Sequence, residues 1–203
     1  MATTVGEAFD LFIKDSVNLD SGIVFQAKKI RDELLEEIHQ FDRDGEFFKL
    51  WSEFDVHFGS FSRKTKCRPL DDLDLMIGIS AEGNTYNGDS DWDDISMNPS
   101  NSSAFQQKCK HEDGTLSSNM VLGKFKERIK EVNDLRSVEV KKNQQAIVVN
   151  FKTSDWSFDI VPCFHTKKDS DGRDYYLIPN GSGKWMKTDP IIDRRRVDEL
   201  EEK

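Results

Sequence analysis

The segment Leu70-Asp71-Asp72-Leu73-Asp74-Leu75-Met76-Ile77-Gly78-Ile79 constrains the fold of this chain more than any other. Under the period of two of a β-strand, Leu73, Leu75, Ile77 and Ile79 share one face and Asp72 and Asp74 share the other. Such a strand has to bury its apolar face under a second layer and leave its acidic face where a charged group can meet it. Carboxylates at i and i+2 lie roughly 6.6 Å apart along the chain, twice the rise per residue, so their oxygens can converge on shared cations.

A second strand, Trp156-Ser157-Phe158-Asp159-Ile160-Val161, sets Trp156, Phe158 and Ile160 on one face and Ser157, Asp159 and Val161 on the other. Asp159 stands between two apolar neighbours, and an acid so placed needs a partner, a role a metal ion would fill. Upstream, Asp55-Val56-His57-Phe58 reads as a short strand that runs into a Gly59-Ser60 turn, with a short helix expected over Phe61-Ser62-Arg63-Lys64. Glycine lets backbone approach a phosphate closely, and Ser60 adds a hydroxyl and an amide donor. Three carboxylates suit two divalent cations about 3.5 to 4 Å apart, which can stabilise both the attacking and the leaving oxygen of an in-line displacement at phosphorus. Hard Mg²⁺ or Mn²⁺ prefers such oxygen ligands. Asp-x-Asp and Gly-Ser are each common by chance; their order, and the strand under each acid, are what carry the functional reading.

The remaining elements fall around these strands. Phe9, Phe12, Ile13 and Val17 recur at helical spacing, and Ile23, Ala27, Ile30, Leu34, Ile38 and Phe41 do so again, predicting two N-terminal helices. Ser117 caps a further helix striped by Val121, Leu122, Phe125, Ile129 and Val132. Strands are expected at 138–140, 146–151 and 156–161, with Tyr175 to Ile178 and a Gly/Ser turn at Asn180 to Gly183 after Pro162. Residues 81–114 are rich in Gly, Asn, Ser and Asp with little periodicity, which predicts a long, mobile surface insertion.

These residues resemble a known group. Phe58-Gly59-Ser60-Phe61-Ser62-Arg63-Lys64-Thr65, then Asp71-Asp72-Leu73-Asp74-Leu75, then Phe158-Asp159-Ile160-Val161-Pro162 is similar to the DNA polymerase β-like nucleotidyltransferases. Within that superfamily the chain most resembles the bacterial CD-NTase branch, related to cyclic GMP-AMP synthase and oligoadenylate synthase. Trp185-Met186-Lys187-Thr188-Asp189-Pro190 resembles the segment that closes the catalytic lobe there.

The resemblance implies an α+β fold, a mixed sheet flanked by helices with long N-terminal helices. Residues 1–190 would be the nucleotidyltransferase domain and 191–203 the start of a C-terminal helix or helical lobe, the rest of which the chain, ending at Lys203, does not extend into. It further implies that Asp72 and Asp74 bind two Mg²⁺ ions, with Mn²⁺ an alternative. Asp159 would share the metal site and deprotonate a ribose hydroxyl, and Gly59 and Ser60 would grip the triphosphate. The product would be a cyclic di- or trinucleotide or short oligonucleotide messenger in antiphage signalling, with pyrophosphate released and a regulatory protein as a further partner. Two other classes stay open: a minimal toxin-antitoxin-type nucleotidyltransferase acting on protein or tRNA, and a nucleotide-binding module without chemistry, against which the retention of all three acids argues.

Composition narrows the partners. With 29 basic and 38 acidic residues the net charge is -9, so a long nucleic acid would be repelled and nucleotides need local cations. Cys67, Cys109 and Cys163 form no CxxC pair or disulfide framework, which suits a reducing cytoplasm, and no run is apolar enough to span a membrane. Gly181-Ser182-Gly183-Lys184 lacks the spacing of a phosphate loop, Asp89 to Asp94 and Asp169 to Gly172 lack the glycine and glutamate of a calcium loop, and Cys109-Lys110-His111 lacks a second zinc pair. His39, His57 and His165 are expected in packing or surface roles, and Arg194 to Arg196 on a solvated face.

Overall fold

Capping residues start both N-terminal helices. The Thr4 hydroxyl accepts from the Glu7 N–H and the Glu7 carboxylate accepts from the Thr4 N–H, closing a capping box on α1 (Val5–Phe12). A π-helical turn over Ile13–Val17 follows, and Asp20 caps α2 (Ser21–Ile38) by accepting from Gly22 and Ile23. The computed structural model describes residues 4–87, 91–132, 139–151 and 154–192. α2 buries Ala27, Leu34 and Ile38, whereas α1 buries none of its residues.

The acid-bearing segment forms β2 (Asp72–Gly78), flanked on one side by the antiparallel β1 (Val56–Phe58) and on the other by the parallel β7 (Ser157–His165). The order β1-β2-β7 continues through β6 (Ala146–Asn150) to β5 (Glu139–Asn143), and β8 (Tyr176–Pro179) and β9 (Trp185–Thr188) extend the far end of β7. The sheet is therefore mixed, as expected. Leu73, Leu75, Ile77 and Ile79 lie in the main core with Phe158, Ile160 and the apolar stripe of α5 (Ser118–Glu131), whose Val121, Leu122, Phe125 and Ile129 are all 0% exposed. A smaller cluster of Met76, Val161, Cys163 and Tyr176 forms on the acid face of the sheet. It covers the lower part of that face and leaves the end bearing the acids open.

Two expectations are corrected. The strand expected to end at Val161 runs on through Pro162 to His165. Ser157 N donates to Asp71 O and Cys163 O accepts from Ile79 N, so odd-numbered residues of β7 turn their backbone groups toward β2. Pro162, of opposite parity, points its missing donor to the other side, between the last β6 pairing at Ile160 and the first β8 pairing at Phe164. No ladder bond is lost there.

The segment 81–114, expected as a mobile surface insertion, contributes elements and core residues to the fold, while Asp91 to Asp94 and Asn101 to Ser102 are exposed. It forms β3 (Thr85–Tyr86), β4 (Met97–Asn98) and α4 (Ala104–Gln107), and Ile95, Met97 and Cys109 are core residues. Its polar residues are structural. Gln106, fully buried, donates to Ser80 O at 2.9 Å, Asn84 donates to Gln106, and Gln107 donates to Pro99 O and Ser100 O. What reads as loop composition is hydrogen-bond stitching. Phe105 joins Phe41, Phe47, Phe48 and Phe125 in a cluster of mostly edge-to-face rings. The strand expected from Val138 begins at Glu139, Val138 itself lying outside the described residues, as do Arg194 to Arg196 and most of 191–203.

Trp185 fastens this segment to the sheet. It is 0% exposed, exchanges two backbone bonds with Ile95, donates its indole N–H to Leu116 O at 2.9 Å and meets Phe164 edge-on at 5.1 Å. Trp185→Ala opens a large cavity and orphans the Leu116 carbonyl, and is expected to cost about 3–5 kcal/mol in urea denaturation. A loss below about 1 kcal/mol would show that the segment does not depend on this anchor.

Candidate active site

The register of β2 and β7 assembles the three acids. Asp74 lies directly beside Asp159 and Asp72 beside Ser157 on adjacent parallel strands, so side chains at these positions leave the same face. On the other flank Phe58 pairs with Asp74, which delivers the β1–α3 junction to the same carboxylate. There the chain turns sharply at Gly59, φ +74°, into α3 (Gly59–Ser62), two residues earlier than the sequence suggests. A Cβ at Gly59 would stand on Asp74 Oδ2 and 2.7 Å from its Cγ, so only glycine lets backbone and acid come this close.

β1 is held in place from behind. Asp55 accepts from Gly78 N at 2.8 Å through one carboxylate oxygen and bonds His39 Nε2 at 2.6 Å through the other. Since His39 is the C-cap of α2, one buried acid ties helix, strand end and the approach to Gly59 together. Burial raises the Asp55 pKa, opposed by its bonds to Gly78 and His39. His165, stacked on Phe54 at 4.2 Å, and His39 thus take the packing roles expected of them. His57 is exposed, lining a cavity of about 200 Å³ beside Asp74 together with Lys28, Arg31 and Lys64.

Electrostatics mark the acids as a strained group. Burial first, then the charges of Asp72 and Asp159, push the Asp74 pKa up to about 6, with Lys66 and Arg63 opposing. Asp159 is likewise raised by burial and by Asp72. The basic side chain that meets them is Lys66, whose ammonium donates to Asp72 Oδ1 at 2.7 Å and to Asp71. Asp71 is held down at about 2 by its bond to Asp72 and by Lys66. Sequence reading did not single out Lys66 or Asp71 for a role; the signal available was a lysine six residues before an Asp-x-Asp strand.

Among the described residues no three His, Cys, Asp or Glu side chains form a ready-made metal cage. Mg²⁺ does not require such a cage, since it keeps waters and is usually bound through one or two carboxylates together with substrate phosphates. An oxygen-only donor set in which the charge of Asp72 adds to burial in raising the pKa of both Asp74 and Asp159 favours a divalent cation. Asp72, Asp74 and Asp159 are the residues that could hold it. The Ser60 carbonyl accepts from Thr65 and Lys66 N–H, closing the turn after α3.

The discounted motifs behave structurally. Asn180 Oδ1 accepts from Ser182 and Lys184 N–H and Lys184 pairs with Asp94, so the Gly-Ser-Gly-Lys run is a braced turn. Cys109 is buried and His111 bonds Gly183 O. Asp169 spends one carboxylate oxygen on the Asp171 and Arg173 N–H groups. Asp89 and Ser90 lie outside the described residues. No described helix is long and apolar enough to cross a membrane.

No family model matches the chain. It is 40% identical over 205 residues to a Bacillus cereus (strain VD146) protein named probable cyclic nucleotide synthase, an alignment covering 100% of this chain and 61% of that protein. The chain thus spans about three fifths of that relative's length. In three dimensions it is similar to Escherichia coli MS115-1 CdnC solved with ATP, at a TM-score of 0.57 and 18% identity over 97% of this chain and 51% of the other. It is similar also to CdnC in a complex with HORMA-deltaN, at a TM-score of 0.57 and 17% identity over 97% and 50%. The α+β fold expected from the sequence is similar to that of the half of CdnC with which the chain aligns. Identity at two residues in five along the whole of this chain to a protein named probable cyclic nucleotide synthase, together with a fold similar to that of CdnC, agrees with the resemblance to the CD-NTase branch read from the sequence.

Proposed function

We propose that this chain is the catalytic core of a nucleotidyltransferase that joins nucleoside triphosphates into a cyclic di- or trinucleotide or short oligonucleotide messenger. The observation that carries this reading is the in-register pair Asp74 and Asp159, with Asp72 on the same open face and the Gly59 turn pressed against Asp74. Two divalent ions, Mg²⁺ or Mn²⁺, held by Asp72, Asp74 and Asp159 would supply positive charge for the attacking and leaving oxygens.

The chain's own groups do the rest. Gly59 and Ser60 let the triphosphate lie against the start of α3. Asp159 orients the ribose hydroxyl of the acceptor and takes its proton as the oxygen attacks the α-phosphorus. The bond from that phosphorus to the bridging oxygen breaks, and pyrophosphate leaves. Lys66 and Arg63, whose charges act on Asp74, provide local positive charge in a protein of net charge -9. The antiphage role and a regulatory protein partner belong to the same proposal. CdnC solved with HORMA-deltaN is a family precedent for such a partner.

Labelled ATP, GTP, CTP and UTP with Mg²⁺ or Mn²⁺ test the reading. Small phosphatase-resistant products are expected from the wild type. With Asp72→Ala/Asp74→Ala they should fall by at least about a thousandfold, some 4 kcal/mol of transition-state stabilisation. Label retained on protein or tRNA instead would replace messenger synthesis with the toxin-antitoxin type of transfer.

A further inference from the structure

Lys66 places its ammonium among acids although it stands on a surface segment. Its side chain is 16% exposed, its Nζ bonds Asp72 Oδ1 at 2.7 Å and also Asp71, and its own N–H bonds Ser60 O at 3.2 Å. That backbone bond fixes Lys66 to the turn that begins at Gly59, and Arg68 N, bonded to Val17 O at 2.9 Å, fixes the following stretch to the end of the N-terminal helical segment. Its position is therefore built by the fold. Asp72 directs Oδ1 at a cation that the chain itself supplies.

An ammonium and a divalent cation repel one another and compete for the same carboxylate oxygen. We infer that Lys66 is a resident counter-cation: it holds Asp72 while no metal is bound and must release that carboxylate when a divalent ion enters. The inference rests on the proposal that Asp72, Asp74 and Asp159 hold metal. It makes Lys66 a positioning residue, acting through Asp72.

The exchange has a direction. Metal alone has to break a charge-assisted hydrogen bond and leave an ammonium facing a divalent ion, which weakens metal binding to the free protein. A triphosphate brings new acceptors for the released ammonium and new ligands for the metal. Metal and nucleotide are thereby coupled, each making room for the other.

Mn²⁺ titrations of the full chain, followed by the electron paramagnetic resonance of free Mn²⁺ without nucleotide, test this on wild type, Lys66→Met, Lys66→Gln and Lys66→Arg, each checked for folding by circular dichroism. Either neutral variant is expected to bind Mn²⁺ about tenfold more tightly than wild type, on the scale of one charge-assisted hydrogen bond. Lys66→Arg should stay near wild type, and the gain should shrink when a non-hydrolysable triphosphate is present. Unchanged or weaker Mn²⁺ binding by the folded neutral variants would overturn the exchange. Wild-type Mn²⁺ binding that survives Asp72→Ala/Asp74→Ala would instead overturn the metal-site reading, and the exchange with it.

Discussion

Asp74→Asn is expected to abolish nucleotidyl transfer while making the metal-free protein more stable at neutral pH. Both effects have one cause. Asp74 sits on a half-covered sheet face beside Asp159 and two residues from Asp72, and burial together with those two charges raises its pKa to about 6. In the unfolded chain the same carboxyl titrates near 3.8. Between the two values the folded protein holds a proton that the unfolded chain has released. The associated stability is therefore fully present below about pH 4, falls as pH rises toward 6, and is then lost. The difference between those two values corresponds to about 3 kcal/mol at most, and solvent screening at this partly exposed site reduces it to about 1–2 kcal/mol.

Urea denaturation in EDTA should thus show Asp74→Asn more stable than wild type by about 1–2 kcal/mol at pH 7.5 and by only about a third as much at pH 4.5. Transfer activity with Mg²⁺ should fall by at least about a thousandfold, because asparagine cannot supply the charge that draws a divalent ion to this face. A variant less stable than wild type at pH 7.5 would show that Asp74 is not held at an energetic cost. The expected pattern is that of a site whose fold tolerates repulsion in order to attract cations.

The central pattern was legible because it needed only local rules. Alternation across Leu73 to Ile79 placed Asp72 and Asp74 on one face, and alternation across Trp156 to Val161 placed Asp159 likewise. What joins them is the parallel pairing of β2 with β7, separated by nearly eighty residues of chain, and no period within a strand encodes that register. The family resemblance supplied it instead. The segment around Ile95, Met97 and Gln106 was misread because its few apolar anchors are far apart and its polar residues bond to buried backbone, a use that composition cannot distinguish from solvation. The extension of β7 past Pro162 was hidden for another reason. Proline's missing donor harms a strand only when a partner stands opposite, and here the neighbouring edge passes from β6 to β8 at that position. Lys66 and the Asp55–His39 pair are contacts between elements, and charged residues in a chain this rich in them carry no mark of which partner they will find.

Gly59→Ala should leave the protein folded and nearly inactive. Gly59 adopts φ +74°, a region that costs an alanine about 1–2 kcal/mol, so a measurable but survivable loss of stability is expected. The larger consequence is steric. The added methyl would lie on Asp74 Oδ2, 2.7 Å from Cγ and 3.1 Å from Cβ, and Asp74 is a short side chain rooted in a central strand with little room to swing aside. Either α3 lifts away from the sheet, taking Ser60 with it, or the Asp74 carboxylate turns off the face it shares with Asp159. A displacement on the order of 1 Å at either place is enough to cost about a hundredfold in rate. Gly123→Ala provides the matched control. It lies within α5, a Cβ there meets nothing within 4 Å, and alanine should stabilise that helix by about 1 kcal/mol without changing turnover. Steady-state rates and denaturation midpoints of the two variants, measured side by side, separate the readings. If Gly59→Ala turns over like Gly123→Ala, the close approach of the turn to Asp74 has no catalytic meaning. If it folds, loses only the small backbone term and still turns over about a hundredfold more slowly, then the contact between this glycine and this acid is what sets the geometry of the site.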